Sequence, residues 1–189
     1  SHPIVGNVDP VVSEFIGSID TVEAEGISKK VILSTSEFTK ILKSPARVSF
    51  NIVSIDPDFG NANRPNQPVA VLLEGEFESN FANRLPPNFY NETILDYRKK
   101  SSFTRQLVIA DGDVAANPVS SDGTKFRELG FDPVIGRKMY GNAEFLVNAM
   151  NYLLGDATLI NVRSRTVILR KLDDEQVLRE REKWQLINI

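Results

Sequence analysis

Two clusters of acidic residues and glycine stand where carboxylate chemistry is easiest to place. Asp111-Gly112-Asp113 and Glu74-Gly75-Glu76 each follow an apolar run, at 107–110 and 69–73. Ligand sites of open α/β sheets form beyond the carboxyl ends of their strands, so acids at two such ends are candidates for one site. Asp111 and Asp113 offer oxygen ligands of the kind Mg²⁺ or Ca²⁺ takes, and the Glu74 cluster offers a further one. A metal-dependent hydrolase or transferase built this way requires Glu74, Asp111 and Asp113 to converge within about 4 to 6 Å, where like charges perturb one another. Each cluster also has a purely structural reading. Asp111 can cap the segment after it while Gly112 permits a tight turn. Gly75 can serve as a bulge or turn at a polar strand end. Glu74, Glu76, Asp111 and Asp113 are therefore the candidate ligand-binding residues, and we assign no catalytic residue, no metal and no cofactor.

Other reactive types are sparse. The single histidine, His2, lies near the start, which removes HExxH zinc sites and internal Ser-His or Cys-His relays. We expect His2 to be a surface residue of a frayed end. The chain has no cysteine, so thiolate catalysis and zinc-thiolate sites are excluded, and either a reducing cytosol or a periplasm without bridges fits. No GxSxG elbow occurs. Gly136 and Gly141 have the glycine spacing of a P-loop, but Asn142-Ala143 stand where that loop requires Lys and Ser or Thr. A turn before a helix is the better reading. Asn91-Glu92-Thr93 forms a sequon, a triplet common by chance. Arg98-Lys99-Lys100 has three charges where a lipid-headgroup patch has about four to eight, and reads as a solvated loop.

At 189 residues the chain can bury roughly 70% of its unfolded surface, enough for a core without staples. Its 22 basic and 25 acidic residues show no basic stripe interleaved with aromatics, which disfavours nucleic-acid binding. The longest apolar stretch, FLVNAMNYLL, contains two Asn and falls short of the roughly 20 residues of a membrane span, so a soluble piece is expected. No signal-like segment opens the sequence.

The elements that must position the acids follow from periodicity. A helical turn is expected near 11–16, a strand at 19–24 and another at 31–34. Ser34 with Glu37 forms a capping-box pattern for a helix ending near Lys43, before Pro45. Residues 47–55 alternate in part, as a half-buried strand does, and 56–68 read as a loop. The runs at 69–73 and 107–110 have the continuous apolar character of strands covered on both faces. Between them, 85–106 reads as an irregular crossover. The strongest helix is 143–154, with Asn142 as cap, Leu146, Ala149, Met150 and Leu153 as its apolar positions and Gly155 as its stop. A strand at 166–169 precedes Asp173, which can cap a charged helix through Glu175, Arg179 and Lys183 to Trp184. The alternation predicts an α/β domain over 1–172 with a largely parallel or mixed sheet, followed by a juxtamembrane helix over 173–189. Internal repeats are absent.

Taken in order, HPIVGNVDPVVSEFIGSIDTV, SPARVSFNI, PVAVLLEGEFESNFANR, LVIADGDV, GNAEFLVNAMNYLLGD and NVRSRTVILRKLDDEQVLREREKWQLINI resemble the GldG family of gliding-motility-associated ABC transporter substrate-binding proteins. The resemblance spans nearly the whole chain and rests on co-linear order, with LLEGEF, FANR and GNxxFLxNAxxYL its most characteristic parts. It implies a flavodoxin-like or class I amidotransferase-like α/β fold without catalytic Cys or His, this chain being the later portion of a larger domain. It also implies a protein anchored in the cytoplasmic membrane, its large domain in the periplasm, with ABC permease and ATPase subunits as partners and a membrane helix after WQLINI. On this reading the chain is a non-catalytic binding or scaffolding domain and not an enzyme. A small-solute receptor would need a largely apolar pocket of roughly 300 Å³ or more.

Overall fold

A computed structural model describes residues 2–43, 45–46, 64–82, 84–86, 97–120 and 122–155. Its centre is β2 (Pro68–Gly75), flanked by β1 (Ile27–Ser34) and β3 (Thr104–Ile109) in the order β1-β2-β3. Val69, Ala70, Val71 and Leu72 are all buried, so the continuous apolar run does mark a strand covered on both faces. The direction of pairing differs from the parallel or mixed sheet expected. β1 and β3 both run antiparallel to β2, with Gly75 opposite Ile27 on one side and Thr104 on the other. Burial on two faces reports that a strand is central and says nothing of its neighbours' direction. Among the described residues the second run, 107–110, falls at the edge of the sheet: Leu107 and Ile109 pack on the core while Val108 is exposed. The class is mixed α/β, with this small antiparallel sheet and one α-helix among the described residues; they do not form a flavodoxin-like parallel sheet.

Helix α1 (Asn142–Leu153) covers one face of the sheet. Ile4, Ile32, Ala70, Leu72, Val114, Phe145 and Ala149 form the buried core, and Leu33, Leu107, Ile109, Leu146 and Leu153 pack around it. A register shift in β1 between Val31 and Leu33 leaves Ile32 unpaired, and that bulge puts its side chain into the core. The helix ends as expected, with Gly155 at φ +80°. Two details of the helix are corrected. Met150 is exposed, because the buried stripe runs through Asn142, Phe145, Asn148 and Ala149. Asn142 is the first helical residue rather than the cap; Gly141 holds the cap position, and no side chain bonds there. A Cβ at position 141 would lie 2.6 Å from the Asp9 carbonyl oxygen, so the close approach of the N-terminal segment requires glycine.

The N-terminal 40 residues depart most from expectation. The helical turn is a 3₁₀ turn at Pro3–Val5 rather than at 11–16. Residues 19–24 form no strand, although the Ile19 N–H donates to the Pro68 carbonyl at 2.8 Å. The helix expected before Lys43 is also not formed. Ser34, its supposed cap, is the last residue of β1 and pairs with Pro68, while the Ser36 hydroxyl accepts the Phe38 N–H in a simple turn. Between β3 and α1 the chain makes an arm: Val119 bridges Phe126, and β4 (Phe131–Asp132) pairs with β5 (Arg137–Lys138) in a hairpin. The expected strands at 47–55 and 166–169, most of the 56–68 loop, the sequon at Asn91 and the 173–189 helix with Trp184 lie outside the described residues. No helix among the described residues is long and apolar enough to cross a membrane.

Candidate functional site

Antiparallel pairing decides the fate of the four candidate acids. Glu74 is next to last in β2 and sits opposite Arg105, the second residue of β3, whereas Asp111 follows the other end of β3. Asp111 is six positions along the chain from Arg105, so the two acidic clusters lie about 20 Å apart at opposite ends of the sheet. They do not come together. Among the described residues no three His, Cys, Asp or Glu side chains form a group able to hold a metal ion.

Three of the four have a local partner instead. Glu74 Oε1 accepts from Arg105 Nε at 2.9 Å and from the Tyr152 hydroxyl at 3.0 Å, tying β2, β3 and the last turn of α1 together. Gly75 permits this end of the sheet to close, since a Cβ there would lie 2.3 Å from the Gly26 carbonyl oxygen. Glu76 pairs with Lys100 at 3.0 Å, both half exposed. Asp111 accepts the Ser13 hydroxyl at 2.6 Å on one oxygen and the Asp113 N–H at 3.1 Å on the other, capping the 3₁₀ turn Gly112–Ala115. The Ser13 hydroxyl, with the two backbone N–H groups behind it, holds the Asp111 carboxyl below the usual carboxylate range. The Asp113 side chain lines a cleft of about 460 Å³ between the N-terminal segment and the arm, with Asn117, Phe131 and Tyr140.

The Glu74 end carries more than the acid. Arg105 Cζ lies 5.2 Å from the Tyr152 ring centroid and 5.7 Å from that of Phe103, so the guanidinium is held against two aromatic rings. His2 meets Tyr152 edge to face at 4.8 Å, and its Nδ1 accepts the Ile4 N–H. His2 is thus packed rather than frayed, because its ring both caps the 3₁₀ turn and finds an aromatic partner. Burial, with Lys30 nearby, pushes the imidazole pKa down, and burial with the bond to Glu74 pushes the Tyr152 phenol up. Sequence reasoning missed Arg105 and Tyr152. The available signal was parity: Arg105 alternates with Leu107 and Ile109, which places a charge on the core-facing side of a strand.

At the opposite end the buried Asn142 amide accepts the Val12 N–H at 3.0 Å and donates to the Val12 and Val114 carbonyls at 2.8 and 3.2 Å. Beside it two adjoining clefts, of about 600 and 530 Å³, share Ser13, Ile16, Thr35 and Val69. Their walls mix apolar side chains with hydroxyls, and Lys40 is charged.

Residues 1–149 match the model of an ABC transporter auxiliary family described as an ABC-type uncharacterized transport system. The match takes in most of the chain, and the protein belongs to that family. No curated protein and no solved structure matches it. Membership links the protein to an ABC-type transport system in an accessory capacity.

Proposed function

We propose that the chain is a non-catalytic binding or scaffolding domain of an accessory subunit, working with the permease and ATPase of one ABC transporter. The observation that carries this reading is the family match over residues 1–149. The local pairing of Glu74, Glu76 and Asp111 is consistent with it, since each acid serves the fold. The finer assignment, a periplasmic domain anchored in the cytoplasmic membrane and associated with gliding motility or export, rests on the likeness to the GldG family. Affinity capture of the intact protein from its own membranes, with both subunits identified by mass spectrometry, tests it. Recovery of the protein without permease or ATPase would sink the proposal.

A small-solute receptor is the second reading, favoured by the adjoining clefts, which have the size of ligand pockets and mixed apolar and hydroxyl walls. A solute that raises the thermal midpoint in the wild type and not in Ser13→Trp, whose indole would fill the shared wall, supports that reading. A solute acting equally on both removes the clefts as its site.

A further inference from the structure

Arg105 has one edge committed and one open. Its Nε bonds Glu74, and both aromatic rings restrict the guanidinium plane, yet neither Nη1 nor Nη2 makes a hydrogen bond among the described residues. The Arg105 side chain is 34% exposed, so those donors are within reach of a solute. A guanidinium oriented by a carboxylate through Nε, with its Nη fork left over, is preorganised for two parallel bonds to an oxyanion.

Two more donors lie on the same side of the sheet, His2 against the Tyr152 ring that Arg105 also meets, and Lys30 near His2. Lys30 sits opposite Leu72 in β1, and opposed residues share a face, so Lys30, Glu74 and Arg105 project from the same side of the sheet. The Lys30 ammonium has no ion-pair or hydrogen-bond partner among the described residues. His2 accepts the Ile4 N–H through Nδ1, which leaves Nε2 as the protonated, donating nitrogen of the neutral ring. With Glu74 counted against Arg105 and Lys30, the notch keeps a net positive charge. A flat carboxylate would satisfy the Arg105 fork alone; a phosphate group has the additional oxygens and charge to engage Lys30 and His2 as well. Phe103, 61% exposed, provides an apolar wall beside the fork.

We propose that Arg105, Lys30 and His2 form a binding notch for a phosphate group, presented either by a soluble phosphate ester or by a lipid headgroup. The full chain is titrated calorimetrically with inorganic phosphate and with phenyl phosphate, against acetate and chloride at matched ionic strength, and sedimented with phosphatidylglycerol or phosphatidylcholine vesicles. Phosphate binding lost in Arg105→Gln and weakened about threefold or more in Lys30→Gln is expected, the scale of one solvent-exposed ion pair. Lys30→Gln removes an exposed side chain, so its result stands even if Arg105→Gln is poorly folded. Soluble phosphates that bind without vesicle sedimentation identify a free ester as the source. Sedimentation with phosphatidylglycerol alone, dependent on Arg105, identifies a headgroup. Acetate binding as tightly as phosphate, binding indifferent to both substitutions, or no binding in any arm overturns the proposal.

Discussion

The two ends of the sheet solve the same problem with different chemistry. Each has an apolar strand followed by an acid and a glycine, Glu74-Gly75 at one end and Asp111-Gly112 at the other. At the first, three elements are joined by a charged network of Glu74, Arg105 and Tyr152, with side chains 22% and 34% exposed at the ion pair. At the second, the joining group is a neutral amide: Asn142, 2% exposed, bonds the backbone of two separate segments, while Asp111 merely caps a turn. A partly solvated ion pair loses much of its Coulomb energy to water and salt, whereas a buried amide that loses its partners leaves backbone groups unsatisfied. The end joined by the Asn142 amide should therefore matter more to stability, and the end joined by the Glu74 ion pair should be the one whose charges can meet an anion.

The largest test of that difference is Asn142→Ala. It strands the Val12 N–H and the Val12 and Val114 carbonyls, and we expect a loss of about 3 kcal/mol in urea unfolding, since each buried unsatisfied group costs about 1–3 kcal/mol. A loss under about 1 kcal/mol would show that water replaces the amide and that this end is not the stronger. At the charged end, Glu74→Gln keeps the shape and removes the charge. The expected cost is about 1 kcal/mol, falling as salt is raised, in line with exposed ion pairs. A cost equal to that of Asn142→Ala, or one insensitive to salt, would erase the contrast.

How much of this was legible in the sequence depends on whether the interaction was local. The 69–73 run, helix α1 with its Gly155 stop and the Asp111 cap were readable, because each is set by residues within a turn or two. Strand direction was not: an apolar run has the same pattern whichever way its neighbours point, and the pairing of Gly75 with both Ile27 and Thr104 joins segments nearly 50 and 30 residues away. The same holds for side-chain partners. Asn142 looks like a cap from its neighbours alone, and only Val12, 130 positions away, draws the amide inward. The Ser34 capping box failed for a related reason, since pairing with Pro68 kept that serine in a strand. Arg105 carried a parity signal, but nothing in the sequence pointed to Glu74 as the common acceptor of Arg105 and Tyr152.

Asp111 offers a smaller effect with a pH signature. Asp111→Ala removes the cap of a short 3₁₀ turn and should cost about 1 kcal/mol or less at pH 7. The folded carboxyl titrates below its unfolded value, chiefly because Ser13 donates to it. Its contribution is therefore complete above about pH 4, the ordinary aspartate value, and is lost as pH falls through the lowered folded one. The stability gap between wild type and variant should narrow on acidification below that point. A gap unchanged down to about pH 2, or one that widens, contradicts the assigned role.

The smallest expected effect is none at all, and it bears directly on the separation of the two ends. A Ca²⁺ ion needs about six to eight oxygen ligands and Mg²⁺ about six in strict octahedral geometry. Asp111 has one oxygen on Ser13 and the other on the Asp113 N–H, and Glu74 is held by Arg105 and Tyr152 about 20 Å along the sheet. Neither acid is poised to join the other around an ion without breaking its own bonds. Ligand binding raises stability only through preferential affinity for the folded state, so about 1 mM Mg²⁺ or Ca²⁺ should leave the thermal midpoint within about 1 °C of its metal-free value. The measurement is a thermal unfolding scan with and without each ion, in buffer freed of adventitious metal. A rise of several degrees that disappears in Asp111→Asn would mean that carboxylates do converge at the Asp111 end, and that the metal-dependent reading of the strand-end acids deserves to replace the scaffolding one.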